Sequence, residues 1–442
     1  MRCDVLVVGA GPGGASAARA AALAGLRVVV LEAHRQVGCP THCTGKLSVH
    51  AFRRFALPVA LAQTALRAAV LCAPDGGTAV VRRAAIDSYV VDRAVFDRFL
   101  ADRAAAAGAE VITEARARLV ERTGGRLRVV ADRPRGRLTI DAVVVIDAEG
   151  AHPVLPAQLG LRLRRRLVHG LQYEVEGARI DADDTPELYF GADVAPGFFG
   201  WLMPIGGDRG RLGVAIDPRL TARSPAYYLE RLRAEHPLAA RRLRGARIVR
   251  RLAGRIPVLG PRRPSYVPGM LVVGDAAGHV KATSGGGIYF AMLAGELAAR
   301  AAADVVAGGA VAAGALAGYE RAWQAAFGRE VRFTSIVRAA LNRLPDRHLN
   351  MAIRALATDA GLRRAVEEHG DTQYQSRLLR PVLGAVLRAG VRDVRLTPTV
   401  AAALGAAALA LWRDGARGDG ALADRAPRDG RFLSSPPRRP ES

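Results

Sequence analysis

The segment at residues 9–14, GAGPGG, has the residue types and the G-x-G-x-x-G spacing of a dinucleotide-binding turn. It lies between the apolar run DVLVV and an alanine-rich stretch, which predicts a strand, a tight turn and a helix. In such a turn the helix N-terminus offers free N–H groups and a positive dipole end to a pyrophosphate. Glu32 ends the next apolar run, where a carboxylate can accept hydrogen bonds from ribose hydroxyls. The predicted cofactor residues in this part are Gly9, Gly11, Gly13, Gly14, Glu32 and Ala33.

A second segment, GDAAG at residues 274–278, identifies the dinucleotide as FAD. It follows the apolar run MLVV, and its aspartate can accept hydrogen bonds from the ribityl hydroxyls that a flavin has and NAD lacks. The glycine triplet at residues 285–287 leaves the backbone bare, so that a flavin ring can lie against the start of the next helix. The predicted cofactor residues in this part are Gly274, Asp275, Gly285, Gly286, Gly287 and Ile288.

Three further features leave alternatives open. Arg93 precedes a predicted helix and either meets the cofactor or forms a surface salt bridge. The segment DAEG at residues 147–150 loosely resembles the Asp-Gly turn of flavoprotein hydroxylases, and we assign no role to it. Only two of the 64 lysine and arginine residues are lysines, Lys46 and Lys281. Both lie in segments predicted to border the flavin, so they either serve the site or occur there by coincidence.

The elements that must position these residues follow from the pattern of apolar residues. Buried-strand runs at 4–8, 27–31, 142–146 and 270–273, with helices at 15–24 and 96–107, predict a Rossmann-like parallel sheet. Residues 161–255 instead predict antiparallel strands with one helix at 226–235. The predicted fold class is therefore α/β. It has an FAD-binding domain built from discontinuous segments, an inserted antiparallel β-sheet substrate domain and a helical C-terminal region.

The predicted domain boundaries follow these changes of pattern. The FAD-binding domain comprises residues 1–50, 88–160 and 256–300, and the β-rich substrate-binding domain comprises 51–87 and 161–255. Residues 301–412 form the helical C-terminal region, and 413–442, rich in Gly, Pro, Arg and Asp, form a disordered tail.

Composition limits the function classes. The formal net charge of +23 suits acidic substrates or an anionic membrane, but no nucleic-acid-binding motif accompanies it. The four cysteines are too few for a disulfide scaffold, and Cys39, His42 and Cys43 lack a further ligand, so we expect no metal. No apolar run reaches the ~20 residues of a spanning helix. We expect a cytoplasmic monomer. Residues 378–412 either associate peripherally with the inner face of the cell membrane or form ordinary core helices.

The chain resembles the geranylgeranyl reductase family of para-hydroxybenzoate-hydroxylase-like flavoproteins. Beyond the two glycine-rich segments, the resemblance rests on CTGKLS (43–48), YVVDRAVFDRFL (89–100), FGWLMP (199–204) and EEHGDTQYQ (367–375). In FGWLMP, Phe and Met replace the Tyr and Phe of the family pattern.

The resemblance implies FAD, an apolar tunnel along the flavin, and reduction of isolated C=C bonds in an isoprenoid chain. The substrate would be a geranylgeranyl-type lipid, a diphosphate or a prenylquinone. The resemblance places Cys43 near the flavin ring and Trp201 in the substrate cavity. We further assign Thr44 and Gly45 to the cofactor, and Phe199, Pro204 and Lys281 to the substrate. From the residues alone, Trp201 is a core residue of a strand and Cys43 is an inert buried thiol.

An isolated alkene has no carbonyl group to stabilise developing charge, so its reduction requires a dry pocket, a strongly reducing flavin and a proton donor. The candidate donors are Cys43, His42 and Tyr289, and we assign Cys43 and Tyr289 as the catalytic residues. The expected electron donor is NAD(P)H or reduced ferredoxin. The alternative function is an FAD-dependent monooxygenase, hydroxylase or halogenase that acts on an aromatic or polyketide substrate. A quinone-linked electron-transfer flavoprotein and a non-enzymatic FAD-binding module are further alternatives.

Overall fold

The computed structural model of the chain describes residues 1–162, 166–258, 264–309, 314–382 and 384. The strands are β1 (Arg2–Val8), β2 (Val28–Leu31), β3 (Lys46–Ser48), β4 (Ala62–Leu66), β5 (Ala68–Cys72), β6 (Thr78–Arg82), β7 (Ser88–Val91), β8 (Glu110–Ile112), β9 (Arg116–Thr123), β10 (Arg126–Arg133), β11 (Gly136–Asp147), β12 (Leu167–Glu176), β13 (Glu187–Tyr189), β14 (Phe199–Gly206), β15 (Arg209–Ile216), β16 (Arg247–Pro257), β17 (Tyr266–Val267) and β18 (Met270–Val272). The helices are α1 (Pro12–Leu23), α2 (Val49–Arg54), α3 (Arg93–Ala106), α4 (Leu155–Gln158), α5 (Pro225–Glu235), α6 (Pro237–Arg242), α7 (Ile288–Gly308), α8 (Ala317–Trp323), α9 (Arg329–Leu341), α10 (Asp346–Thr358) and α11 (Ala360–His369).

The first sheet contains the dinucleotide-binding turn. Its strands follow the order β17-β18-β11-β1-β2-β8, and β10 joins β9 to β11. β1 pairs in parallel with β11 and β2, and β11 pairs in parallel with β18. Val5, Val28 and Val144 lie side by side and are buried, because both faces of a parallel sheet are covered. The predicted buried strands are confirmed, and their carboxyl ends share one edge of the sheet.

Helices α1 and α7 pack against each other at a point where neither has room for a side chain. A Cβ atom at Gly295 would lie 2.3 Å from the carbonyl oxygen of Gly13 and 2.9 Å from the nitrogen of Ala17. α1 begins just after β1, and α7 begins after β18 and its glycine-rich loop. The close crossing therefore brings both helix N-termini to the carboxyl edge of the first sheet.

The second sheet has the strand order β16-β12-β15-β14-β13-β5-β6. It is antiparallel except where β13 pairs in parallel with β5, a strand from the other predicted segment of the β-rich domain, 51–87. A second short helix, α6, also follows α5, where one helix was predicted. Pro237 opens α6, and the His236 ring nitrogen accepts a hydrogen bond from the Ala239 N–H at 3.4 Å, so the chain restarts a helix there.

A small third sheet, β3-β7-β4, connects the loop after residue 38 to the rest of the molecule. The described part of the C-terminal region is helical, as predicted, and α10 and α11 pack on β6. The mixed α/β architecture with a parallel sheet agrees with the predicted fold class, whereas the domain boundaries stay a prediction. The predicted disordered tail and most of the predicted membrane segment, 378–412, lie outside the described residues.

The crossing of α1 and α7 can be tested by adding one methyl group. We expect Gly295→Ala to lower the free energy of unfolding by about 1–3 kcal/mol, because the added methyl group overpacks the contact between the two helices. Gly308→Ala is the matched control, since it lies in the same helix with no atom within 4 Å of the added Cβ. The control should be neutral or stabilising by up to about 1 kcal/mol. Urea unfolding measures both variants, and equal free energies would contradict the close crossing.

Candidate active site

A cavity of about 1380 Å³ lies between the carboxyl edge of the first sheet and one face of the second sheet. It collects most of the residues predicted from the sequence. Those that line it are Gly9, Gly11, Gly13, Glu32, Ala33, Cys43, Thr44, Arg93, Phe199, Trp201, Gly274, Asp275, Lys281, Gly285, Gly286, Gly287, Ile288 and Tyr289. Three predicted residues, Gly14, Gly45 and Pro204, do not line it.

Each of these three residues lies behind the cavity wall for a reason that the backbone explains. A Cβ at Gly14 would lie 1.9 Å from the Gly9 carbonyl oxygen, so Gly14 serves the packing of α1 on β1. Gly45 has φ +84°, and a Cβ there would lie 2.1 Å from the Val91 carbonyl oxygen. Pro204 is on the face of β14 opposite Trp201, because side chains alternate along a strand.

The dinucleotide turn has the shape that a pyrophosphate requires. A Cβ at Gly11 would meet no atom within 4 Å, so the backbone there is open to a ligand. Gly9 has φ +101°, and a Cβ there would lie 2.4 Å from the Ala148 carbonyl oxygen, which only glycine avoids. No side chain caps the start of α1, so its first N–H groups lack a side-chain acceptor. This arrangement fits an anion at the helix N-terminus.

Glu32 is held by its own neighbours. Its carboxylate accepts hydrogen bonds from the Ala10 N–H at 3.0 Å and the His34 N–H at 2.9 Å, and it lies 2.7 Å from the His34 ring nitrogen Nδ1. These contacts engage both acceptor sites of Oε1 and one of Oε2, so a second lone pair stays available on Oε2. The contacts therefore orient Glu32 at the cavity and still leave it able to accept from ribose hydroxyls.

Asp275 borders the cavity with an unengaged carboxylate. Within the described residues, no hydrogen bond to its side-chain oxygens is formed. Burial raises the pKa of Asp275 to about 6, and the positive charge of Arg93 offsets part of that rise. A polyhydroxy chain would supply the missing donors. The carboxylate and the open turn at Gly11 are the observations by which this site fits FAD.

Arg93 forms a salt bridge, but in the cavity wall and not at the surface, and its contact with the cofactor stays a prediction. Its Nε donates to Asp97 Oδ1 at 2.8 Å and its Nη2 donates to Asp97 Oδ2 at 2.6 Å, one turn along α3. The pair is buried, with side chains 17% and 6% exposed, and Arg93 lines the cavity beside Cys43. The salt bridge is therefore part of the cavity wall. The Arg-x-x-x-Asp spacing in DRAVFDRF is the signal that could have identified it.

Trp201 is both a core residue and part of the cavity wall. It is 8% exposed, and its Nε1 donates to Gln172 Oε1 at 3.0 Å. The Thr44 hydroxyl donates to the same oxygen at 2.9 Å, so Gln172 links Trp201 of the second sheet to the loop that carries Cys43. A Cβ at Gly213 would lie 2.3 Å from the indole ring, so the ring lies flat on the neighbouring strand. Gln172 and Gly213 were not predicted from the sequence.

Arg211 of the second sheet holds the loop of residues 39–45 through its backbone, a role that the sequence does not predict. Its side chain is 2% exposed. Its Nε donates to Glu174 at 2.9 Å, and its Nη1 donates to the backbone oxygens of Thr44 at 2.7 Å and Val91 at 3.1 Å. No sequence signal separates this arginine from the many others.

A second buried arginine, Arg338 of α9, joins the two sides of the cavity. Its Nε donates to the Ala282 carbonyl oxygen at 3.1 Å and its Nη2 donates to that of Thr283, both in the loop between β18 and α7. Its guanidinium lies 4.5 Å from the ring centroid of Phe198, which directly precedes β14. Burial lowers the pKa of Arg338 to about 10.

The two lysines of the chain converge on one residue. Lys46 Nζ donates to the Thr372 hydroxyl at 3.1 Å, and Lys281 Nζ donates to the Thr372 carbonyl oxygen at 2.5 Å. Thr372 belongs to the segment 370–375, which lines the cavity through four of its other residues, Gly370, Asp371, Gln373 and Gln375. Both lysines therefore hold the same segment of the cavity wall, and their service to a flavin stays a prediction.

The candidate proton donors occupy different parts of the wall. The Cys43 sulfur accepts a hydrogen bond from the Gly45 N–H at 3.3 Å. The Tyr289 hydroxyl lies 3.2 Å from the Tyr374 hydroxyl. His42 is exposed, and its Nδ1 lies 2.7 Å from the Ala253 carbonyl oxygen. In the described part of the chain, no three His, Cys, Asp or Glu side chains are grouped to hold a metal ion.

The fold and the cavity define an FAD-dependent oxidoreductase. Residues 4–157 and 84–301 each match a family described as FAD dependent oxidoreductase. A geranylgeranyl bacteriochlorophyll reductase-like protein from Thermoplasma acidophilum has the same fold, with a TM-score of 0.79 at 24% identity over 89% of this chain and 99% of that protein. A flavin-dependent brominase shares the fold more distantly, with a TM-score of 0.63 at 17% identity over 95% of this chain and 99% of the brominase.

Curated relatives specify the family. The digeranylgeranylglycerophospholipid reductase 2 of Methanothermobacter thermautotrophicus is 34% identical over 80% of this chain and 92% of the relative. The digeranylgeranylglycerophospholipid reductase of Methanothrix thermoacetophila is 32% identical over 81% of this chain and 92% of the relative. The chain belongs to the geranylgeranyl reductase family. Among the helices of the described ranges, none combines the length and the apolar character needed to cross a bilayer.

The role of Arg211 can be tested by unfolding. We expect Arg211→Met to lower the free energy of unfolding by about 3 kcal/mol or more, because it leaves buried carbonyl groups and Glu174 with fewer donors. Arg209→Met on the same strand is the control, since its ion pair with Glu176 is long, at 3.6 Å, and exposed. That pair should contribute about 0–1 kcal/mol. Similar losses in the two variants would contradict a structural role for Arg211.

Proposed function

We propose that this chain is an FAD-dependent reductase that saturates C=C bonds in the isoprenoid chain of a geranylgeranyl-type lipid, acting on CH–CH groups. The observation that carries the proposal is the continuity of the cavity, which extends from the dinucleotide turn to the apolar face of the second sheet. Two curated relatives that align over most of the chain are named for reduction of such a lipid. The fold alone would also serve a halogenase or hydroxylase, whereas these relatives favour the reductase.

FAD would be held by residues from four elements. The start of α1 at Gly11 would bind the pyrophosphate, Glu32 the adenosine ribose and Asp275 the ribityl hydroxyls. The loop 285–288 and the N-terminus of α7 would border the flavin ring, where a positive dipole end stabilises negative charge. When bound, FAD supplies the hydride that an isolated alkene cannot obtain from an amino acid side chain.

The substrate chain would lie on the second sheet. Phe199, Trp201 and Met203 alternate along β14 and face the cavity, and Leu188 and Leu71 continue this floor on β13 and β5. Phe198 stacks on Phe199 with ring centroids 4.5 Å apart. These side chains bind an apolar chain and exclude water from the reacting bond.

The proton would come from Cys43 or Tyr289, which both line the cavity. The Tyr374 hydroxyl can donate to or accept from Tyr289, so it can return the proton that Tyr289 loses. Tyr289 is the better candidate, because Tyr374 can exchange a proton with it, whereas the group in contact with Cys43 is the Arg93 guanidinium, which stays protonated.

The remaining partners are proposals of the same kind. NAD(P)H or reduced ferredoxin would reduce the flavin, and the protein would act as a monomer in the cytoplasm. Its basic surface, with a formal net charge of +23, would favour peripheral contact with an anionic membrane that holds the lipid.

The reaction can be tested without oxygen. We expect the dithionite-reduced holoprotein to be reoxidised by a digeranylgeranylglycerol phospholipid in vesicles, with a product that gains two hydrogen atoms per double bond. Absorbance follows the flavin, and mass spectrometry follows the lipid. The control is the same lipid already saturated, which should leave the flavin reduced. Reoxidation by oxygen only, with a hydroxylated product, would contradict the proposal.

The contact of Asp275 with FAD predicts a pH dependence. Ribityl hydroxyls donate to the ionised carboxylate, so FAD binding favours the deprotonated form of a group whose pKa is about 6. FAD affinity should therefore be full above pH about 7 and fall by up to about tenfold as the pH drops to about 5. Fluorescence titration with FAD measures this. Asp275→Asn should bind more weakly with a flatter pH profile, and an unchanged profile would contradict the contact.

A further inference from the structure

We propose that Lys281 is a positioning residue that sets the reduction potential of the bound flavin. Its buried ammonium stabilises the negative charge that the flavin gains when it is reduced. This inference depends on the proposed placement of the flavin ring against the loop 285–288.

Lys281 is a buried cation whose charge no carboxylate contacts directly. It is 4% exposed, and within the described residues its Nζ donates to a neutral acceptor, the Thr372 carbonyl oxygen, and forms no ion pair. Burial lowers the pKa of Lys281 to about 8, with a smaller contribution from Lys46. A charge in such surroundings is poorly screened and acts strongly on its neighbours.

The carboxylates nearest to Lys281 are engaged by other groups. Glu330 accepts from the Gln375 N–H at 2.6 Å and the Ser376 N–H at 3.1 Å. Asp371 lies 3.3 Å from His50 Nε2 and 3.0 Å from Arg377 Nη1, and Asp87 lies 3.6 Å from Lys46 Nζ and 3.4 Å from Arg83 Nη1. These carboxylates and Lys46 are the charged groups that face Lys281 from β3, α9, the segment 370–375 and the turn before β7. The Lys281 charge is therefore only partly neutralised.

The glycine triplet brings this charge to the flavin side of the cavity. A Cβ at Gly286 would lie 3.2 Å from Lys281 Cε and 3.6 Å from its Nζ, so the bare backbone of Gly286 leaves room for the ammonium beside the cavity that Lys281 lines. Helix α7 begins two residues later, and its N-terminus adds the positive end of the helix dipole. The lysine charge and the helix dipole therefore act on the same part of the cavity, beside the loop 285–288.

The reduced flavin is where this charge has an effect. Two electrons and one proton convert oxidised FAD into its anionic hydroquinone; NAD(P)H would deliver them together as a hydride, whereas in a titration dithionite supplies the electrons and water the proton. The proton binds at N5, and the negative charge rests on the N1 and O2 side of the ring. A fixed cation lowers the free energy of that state relative to oxidised FAD, so it raises the reduction potential.

Lys46 provides a matched control. It donates to the same residue, Thr372, but it is 32% exposed and pairs with Asp87. If the lysines only anchor the segment 370–375, Lys281→Met and Lys46→Met should affect the flavin alike. If the Lys281 charge acts on the flavin, only Lys281→Met should change the potential, and Lys281→Arg should restore it.

The measurements are the two-electron potential, by dye equilibration, and the dissociation constant for sulfite, which adds to flavin N5 and leaves negative charge on the ring. For Lys281→Met we expect at least a tenfold fall in the equilibrium constant for reduction, which is about 30 mV. Sulfite binding should weaken at least tenfold. For Lys46→Met, the equilibrium constant for reduction should stay within about twofold of the wild-type value.

The wild-type protein gives a second measurement that needs no variant. Negative charge on the flavin raises the pKa of Lys281, so above pH about 8 reduction takes up an additional proton and the potential falls more steeply with pH. Equal potentials in the two lysine variants, or a wild-type potential without this steeper limb, would overturn the inference. A protein that binds no FAD would instead overturn the proposed function, so the two failures are distinguishable.

Discussion

The close crossing of α1 and α7 is the constraint on which the site depends. The two helices approach until a methyl group at Gly295 would lie 2.3 Å from the Gly13 carbonyl oxygen. Because each helix follows a parallel strand of the same sheet, this approach places both N-termini at one edge. Two positive dipole ends and two stretches of bare backbone then face one cavity. A dinucleotide with negative charge at its pyrophosphate and, once reduced, at its ring matches that arrangement.

The rest of the cavity is built by contacts between distant parts of the chain. Arg211 of the second sheet holds the backbone of Thr44, and Gln172 links Thr44 to Trp201. Arg338 joins the loop between β18 and α7 to Phe198 in the same way. The two sides of the cavity are therefore held together by buried contacts. This rigidity suits a hydride transfer, in which small displacements of the reacting atoms slow the reaction.

Charge in this protein is distributed in two ways. Most arginines of the described residues that have partners form ion pairs at the surface, such as Arg82 with Asp184, and these pairs contribute little to stability. Two buried cations at the cavity, Lys281 and Arg338, instead bind carbonyl oxygens, whereas Arg93 pairs with Asp97. A cation that binds a neutral acceptor keeps its field, and a ligand that becomes more negative during its reaction benefits from it.

The sequence by itself determined the features that depend on local geometry. The turn at Gly9, the buried strands of the first sheet and the aspartate after β18 could be recognised because turn conformation and apolar period are properties of neighbouring residues. Only the tertiary structure decided which arginines matter, that Pro204 faces away from the cavity, and that both lysines meet Thr372. Thr372 lies 326 residues from Lys46, and Thr44 lies 167 residues from Arg211. Such pairs depend on strand register and on the docking of α9 and the segment 370–375, and no local pattern encodes them.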